Sequence, residues 1–293
     1  MSTEPFADRL AALVDERRSQ ICLGLDPDPA VLSLQDAGAA GGPAEAAAGA
    51  VVATCRRLIA AAGPACVAVK LQLACFERLG APGWAALERT ASAAREAGLL
   101  VIADGKRGDV PVTATAYGQA LVGETPTPWG SVSGLGADAF TANPLLGADA
   151  LEPLIEAAAT AGAGVFALVR TTNPGAADLQ DQPTDSPLHE RLAEIVDGAA
   201  DRLAGSSELS GMGAVVGATA PELIGRLREL MPRAIFLMPG VGAQGGQAQD
   251  LGPAFGPGSA AALVSASRSI AADPDPAAAA ERLQAEVWAA SGA

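Results

Sequence analysis

Lysine is almost missing from this chain. Of 19 basic residues in 293, only Lys70 and Lys106 are lysines, and arginine fills the remaining basic positions. Histidine occurs once, at His189. The four cysteines, Cys22, Cys55, Cys66 and Cys75, form no C-x-x-C pair. No zinc or other metal site is therefore expected, and the pattern reads as free thiols in a cytoplasmic protein. No uninterrupted apolar run reaches the roughly 18 residues of a membrane span. The opening segment, MSTEPFADRLAALVDERRSQ, is charged and amphipathic rather than signal-like. Positive charge is also scarce overall: the net charge is −14. That argues against nucleic acid or an anionic membrane as the main partner. A small anionic substrate stays compatible, because a few cations and helix N-termini bind phosphate locally.

What is present concentrates at 99–113, LLVIADGKRGDVPVT. A short apolar run closed by Gly and Pro reads as a buried strand. It ends in Asp104, Lys106, Arg107 and Asp109. Residues i and i+2 of a strand share a face, so Asp104 and Lys106 are expected to point the same way. Asp109 follows the Gly108 turn and opens a helix whose first turn tolerates Pro111. A structural ion-pair network would account for such a cluster. The scarcity of lysine tilts the reading toward chemistry, since Lys can give up a proton and Arg cannot. Lys70 ends a second apolar run, CVAVK at 66–70.

Apolar runs at 21–25, 66–71, 99–104, 137–142, 164–169, 214–217, 234–238 and 261–265 read as eight strands. Helical patterns fall at 6–16, 46–62, 84–98, 110–122, 148–161, 189–203, 221–231 and 275–290. Strict alternation implies a parallel sheet. Eight units in one chain of this length predict a single-domain α/β fold, a closed (β/α)8 TIM barrel spanning 1–293, with loop insertions near 27–45 and 123–136. The second insertion reads as a surface loop or a subunit contact. Asp26, Lys70, Asp104, Lys106, Asn143, Thr172, Gln244 and Arg268 all fall after strands, where barrel active sites form. The Gly-rich run PGVGAQGG at 239–246 lets backbone N–H groups approach an anion. The next strand is followed by ASRSI at 266–270, whose Arg268 offers two-pronged binding to phosphate oxygens. Barrels often hold phosphate with these last two loops.

These motifs resemble the orotidine 5′-phosphate decarboxylase family. DGKRGD at 104–109 fits its D-x-K-x-x-D signature, and LGLDPDP at 23–29, VAVKLQ at 67–72, TTNPGA at 171–176, PGVGAQGG and SRSI at 267–270 follow in the family's order. The long loops resemble its longer bacterial branch. The resemblance implies decarboxylation of orotidine 5′-phosphate to UMP and CO2 in pyrimidine biosynthesis, with no cofactor. It implies that Lys106 protonates C6, that Asp104 lies against the substrate carboxylate, and that Lys70 sits between Asp26 and Asp104. Asp26 would hold the ribose hydroxyls. Asp109 and Thr113 would reach a neighbour's ribose across a homodimer interface. Thr172 would read the pyrimidine edge, and Gln244 would bridge base and phosphate. Gly240, Gly242, Ser267 and Arg268 would surround the phosphate, and Asn143 stands where relatives carry another polar group. Two alternatives remain open at this point. One is a barrel that acts on keto-sugar phosphates through a Mg2+-stabilised enediolate, which needs an acidic ligand where Lys70 and Gln72 stand. The other is a non-catalytic nucleotide-binding barrel.

Overall fold

The computed structural model describes residues 4–32 and 41–293. Residues 33–40 of the expected 27–45 loop lie outside them. The strands are β1 (Ile21–Leu25), β2 (Ala68–Gln72), β3 (Leu100–Arg107), β4 (Glu124–Thr127), β5 (Gly130–Ser133), β6 (Ala139–Ala142), β7 (Gly164–Arg170), β8 (Ser210–Val216), β9 (Ala234–Pro239) and β10 (Ala262–Ala266). The helices are α1 (Phe6–Arg17), α2 (Pro43–Ala62), α3 (Leu73–Glu77), α4 (Gly80–Glu96), α5 (Pro111–Leu121), α6 (Ala148–Ala161), α7 (Ala176–Leu179), α8 (Leu188–Gly198), α9 (Pro221–Leu230), α10 (Arg268–Ala271) and α11 (Pro276–Ala290). Pro43, Pro111, Pro221 and Pro276 each begin a helix. Proline's fixed φ suits that position, and its missing N–H would have no intrahelical acceptor there.

Eight parallel strands close in the order β1-β10-β9-β8-β7-β6-β3-β2, which is the predicted barrel. Strand β8 begins at Ser210, earlier than the apolar run suggested, because its first residues are glycine-rich. Gly213 is required there: a Cβ would stand 2.5 Å from the Ile235 carbonyl and 2.7 Å from the Phe166 ring. The 123–136 insertion contains an antiparallel hairpin, β4 with β5, whose tip residue Trp129 is 93% exposed. Helix α2 with the turn behind it (Pro43–Ala65) is long and apolar enough to cross a membrane by length and composition. It instead buries Val51, Val52, Cys55 and Ile59 in the layer between helices and barrel.

Two apolar clusters flank the sheet. Outward-facing Val69, Leu71, Val101 and Ala103 pack against the helices. Inward-facing Cys22, Ala68, Ile102, Phe166, Leu237 and Leu263 fill the barrel, and α1 closes its N-terminal end with Phe6 and Leu10. The Phe6 and Phe166 rings meet edge to face, centroids 5.8 Å apart. Register then fixes what lies above this floor. Cys22 pairs with Ala68, and Gly24 with Lys70. Lys70 pairs with Ile102, and Gln72 with Asp104. Partners across a parallel ladder share a face, so Lys70, then Gln72 and Asp104, continue the barrel interior toward its C-terminal mouth.

Phe6→Ala should cost about 3–5 kcal/mol in urea unfolding, with turnover per folded molecule preserved. A loss below about 1 kcal/mol would show that the floor repacks without it.

Candidate active site

The C-terminal mouth of the barrel opens on a cavity of about 530 Å³. Its wall at β1–β3 alternates in charge. Lys70 Nζ lies 3.8 Å from Asp26 Oδ1 and donates to Asp104 Oδ2 at 2.6 Å. Lys106 Nζ donates to the other oxygen, Asp104 Oδ1, at 2.6 Å. Gln72 Nε2 donates to Oδ2 at 3.2 Å, and the Thr141 hydroxyl to Oδ1 at 2.9 Å. Asp104 is buried, and these four donors leave it no unmet need for water.

Burial opposes the charge on Asp104, but Lys70 and Lys106 outweigh it and hold its pKa at about 2. Burial likewise opposes the charge on Lys70. The carboxylates of Asp104 and Asp26 overcome that, so its pKa is raised. Asp104 and Lys70 are therefore both ionised near neutrality. The two lysines differ in access: the Lys106 side chain is 43% exposed and that of Lys70 is 10% exposed. Lys106 is the cation that a ligand can reach.

The backbone of β3 creates this arrangement. Pairing with β6 jumps from Ala103↔Phe140 to Arg107↔Ala142, so a bulge holds Asp104, Gly105 and Lys106. Bulges re-aim side chains beside active sites. Lys106 itself has φ +48°, the left-handed region, and its N–H donates to Thr141 Oγ1 at 2.9 Å. A non-glycine residue there costs roughly 1–2 kcal/mol, a strain that concentrates at functional sites. Arg107 points elsewhere, pairing with Glu77 and stacking on Tyr117 at 5.5 Å.

Opposite the charges, the cavity is lined by Thr171, Thr172 and Asn173 after β7, Gly240 and Gln244 after β9, and Ser267 and Arg268 after β10. Arg268 is exposed, and its guanidinium makes no hydrogen bond among the described residues. Its backbone N–H opens α10, where first-turn N–H groups have no intrahelical acceptor.

Four expected residues do not line this cavity. Gly242 donates its N–H to the Gly246 carbonyl at 2.9 Å and faces a neighbouring groove, so it shapes the loop from within. Asn143 accepts the Leu145 N–H on Oδ1 at 3.1 Å, a turn-forming bond. Asp109 is half-buried and accepts the Val110 N–H at 2.7 Å, and Thr113 is exposed on α5. Sequence reasoning missed Thr141 and Gln180. Thr141 is the only hydroxyl in the apolar strand AFTA, a signal that was present. Gln180 lies well past its strand and carried none.

A profile of the orotidine 5′-phosphate decarboxylase / HUMPS family matches residues 19–283. The orotidine 5′-phosphate decarboxylase of Deinococcus radiodurans is 39% identical over 272 residues, 92% of this chain and 89% of that one. That of Rhodopirellula baltica is 40% identical over 271 residues, 90% of this chain and 87% of that one. The solved structure of Leishmania donovani UMP synthase superposes with a TM-score of 0.77 at 34% identity, covering 99% of this chain and 57% of that one. Barrel, charged rim and sequence kinship agree, and the chain belongs to the orotidine 5′-phosphate decarboxylase family.

Proposed function

We propose that the Asp26–Lys70–Asp104–Lys106 row carries out the reaction of this family, decarboxylation of orotidine 5′-phosphate to UMP and CO2 in pyrimidine biosynthesis. The observation that supports this most is the shared carboxylate. Asp104 takes one ammonium on each oxygen, at 2.6 Å, and only Lys106 is open to a ligand.

The C6–carboxylate bond breaks with its electron pair left on C6, and CO2 departs. Lys106 Nζ gives its proton to C6, and solvent returns one to the neutral amine. Until transfer, the ammonium faces developing negative charge, so it favours the transition state over the bound substrate. Asp104, ionised and fixed, stands where the substrate carboxylate must lie. Their repulsion falls as neutral CO2 leaves, a smaller contribution than that of the cation. Asp26 holds the ribose hydroxyls and Thr172 meets the base. Gln244 spans base and phosphate, and Arg268 with Ser267 and Gly240 binds the phosphate. A Mg2+-enediolate reading is disfavoured by the donor set: both Asp104 oxygens already accept from ammonium groups that would repel a divalent cation.

The working unit is a homodimer in which Asp109 and Thr113 complete the neighbour's site. Both lie on the rim outside their own cavity, beside exposed Val110, Val112, Leu145 and Leu146. The 107 and 143 segments are bonded together, Asn143 N–H to the Arg107 carbonyl at 2.8 Å, so the two apolar stretches start from adjacent backbone. The enzyme works in the cytosol, which suits four unpaired cysteines.

Lys106→Ala should reduce turnover by about 10⁴-fold or more while UMP still binds. Near-normal turnover would reassign the proton donor. Arg268→Ala should raise the KM for orotidine 5′-phosphate about 10- to 100-fold with a smaller change in kcat, and an unchanged KM would remove it from the phosphate site. Mixing Lys106→Ala with Asp109→Ala subunits should regain about a quarter of native activity through heterodimers with one intact site. No recovery on mixing would place Asp109 outside the shared site.

A further inference from the structure

The loop after β7 is held by a bonded assembly that decarboxylation itself does not call for. Arg170, the last residue of β7, makes a two-pronged bond to Asp181, Nε to Oδ1 at 2.8 Å and Nη2 to Oδ2 at 2.9 Å. This fork closes the loop back on a rigid strand end. Next to Asp181, the Gln180 side chain reaches into the loop. Its Oε1 accepts the Thr171 N–H at 2.8 Å, and its Nε2 donates to Thr171 Oγ1 at 2.9 Å. The Thr171 hydroxyl then donates to Asn173 Oδ1 at 2.7 Å. Behind Gln180 stands the chain's single histidine, only 4% exposed. The His189 backbone N–H donates to the Gln180 carbonyl at 2.9 Å, and its Nδ1 lies 2.9 Å from the same oxygen and 3.2 Å from Asp181 Oδ1.

Both ends of one side-chain amide are thus spent on Thr171, which lines the cavity together with the next two residues, Thr172 and Asn173. Gln180 lines the cavity too, and an amide nitrogen carries a second N–H. A pyrimidine dione presents acceptor, donor and acceptor along its edge. Reading that edge needs hydroxyl and amide groups held to within a few tenths of an ångström, which a free loop does not supply. The phosphate site lies across the cavity on other loops.

We propose that Gln180 is a positioning and specificity-determining residue for the base: backed by Arg170, Asp181 and His189, it fixes Thr171–Asn173 against the pyrimidine edge and does not serve the phosphate. This rests on the reading above, in which the base lies at Thr172.

The test compares UMP, CMP and ribose 5-phosphate binding to the full-length protein by calorimetry. Gln180→Met keeps length and loses both amide bonds. It should weaken UMP about tenfold, the loss of roughly one net hydrogen bond, leave ribose 5-phosphate within about twofold, and narrow the preference for UMP over CMP. For orotidine 5′-phosphate, kcat/KM should fall about tenfold, mostly through KM. Asp181→Asn, which weakens the fork without touching the cavity, should move the same readings in the same direction by less, and it serves if Gln180→Met does not fold. Equal weakening of UMP and ribose 5-phosphate, or no change in either, overturns the proposal. If the unaltered protein binds UMP no better than ribose 5-phosphate, it is the placement of the base that fails instead.

Discussion

One carboxylate between two ammonium groups sets the terms for the rest of this molecule. Burying Asp104 alone would be costly enough to protonate it. Two lysines keep it charged, and it keeps Lys70 charged in return. Arg228 shows the alternative. It is buried over the Phe236 ring, 3.8 Å from its centroid, and donates only to the neutral carbonyls of Met231, Ala234, Ala254 and Ala261. Burial then lowers its pKa to about 10. With carboxylates as partners the outcome reverses, and the Lys70 pKa rises. Hydrophobic replacement of a buried ion pair is often neutral or stabilising, whereas removing one partner costs about 3–5 kcal/mol. A row of charges is therefore weak evidence of selection for stability. It suits a site that must hold an ammonium beside a nascent carbanion without reorganising.

The barrel supplies the rigidity that this needs. Lys70 and Asp104 stand on adjacent strands whose ladder runs from Ala68↔Leu100 to Gln72↔Asp104, so their separation is set by backbone hydrogen bonds. Lys106 meets the same carboxylate from a strand whose pairing is interrupted. The β3 bulge and the left-handed turn at Lys106 set the backbone there, and Thr141 braces both residues, bonding the Lys106 N–H and the Asp104 carboxylate with one hydroxyl.

How much of this was legible follows from what each residue answers to. Apolar runs bounded by glycine and proline reported all eight barrel strands, because a parallel strand is buried on both faces and has little freedom of composition. Lys70 and Lys106 stood out because arginine had replaced lysine everywhere else. Asp104 followed from two-residue spacing to Lys106. Asn143 stands after a strand, as site residues do, and its side chain accepts from the backbone turn at Leu145, a use that spacing does not encode. Thr141 was overlooked because a threonine in a strand is ordinarily a propensity choice. Gln180 was hidden because loop closure by the Arg170–Asp181 fork brings it back to Thr171, a contact between positions with no periodic relation.

The two ends of the cavity are also joined. Gly240 has φ +108°, and a Cβ there would lie 3.1 Å from Thr172 Cγ2 and 3.1 Å from Thr219 Cγ2. Only glycine allows the 239–246 loop both that backbone and that approach to the loop after β7. Within the 239–246 loop, the Gly242 and Gly246 N–H groups donate to the Gly246 and Gly240 carbonyls, so the loop holds a shape of its own. On the proposed assignment, phosphate binding at Arg268 would be felt where Thr172 meets Gly240. Under that proposal, binding energy gained from a group that undergoes no chemistry presses the pyrimidine toward the charged wall of Asp104 and Lys106, where it would be converted into rate.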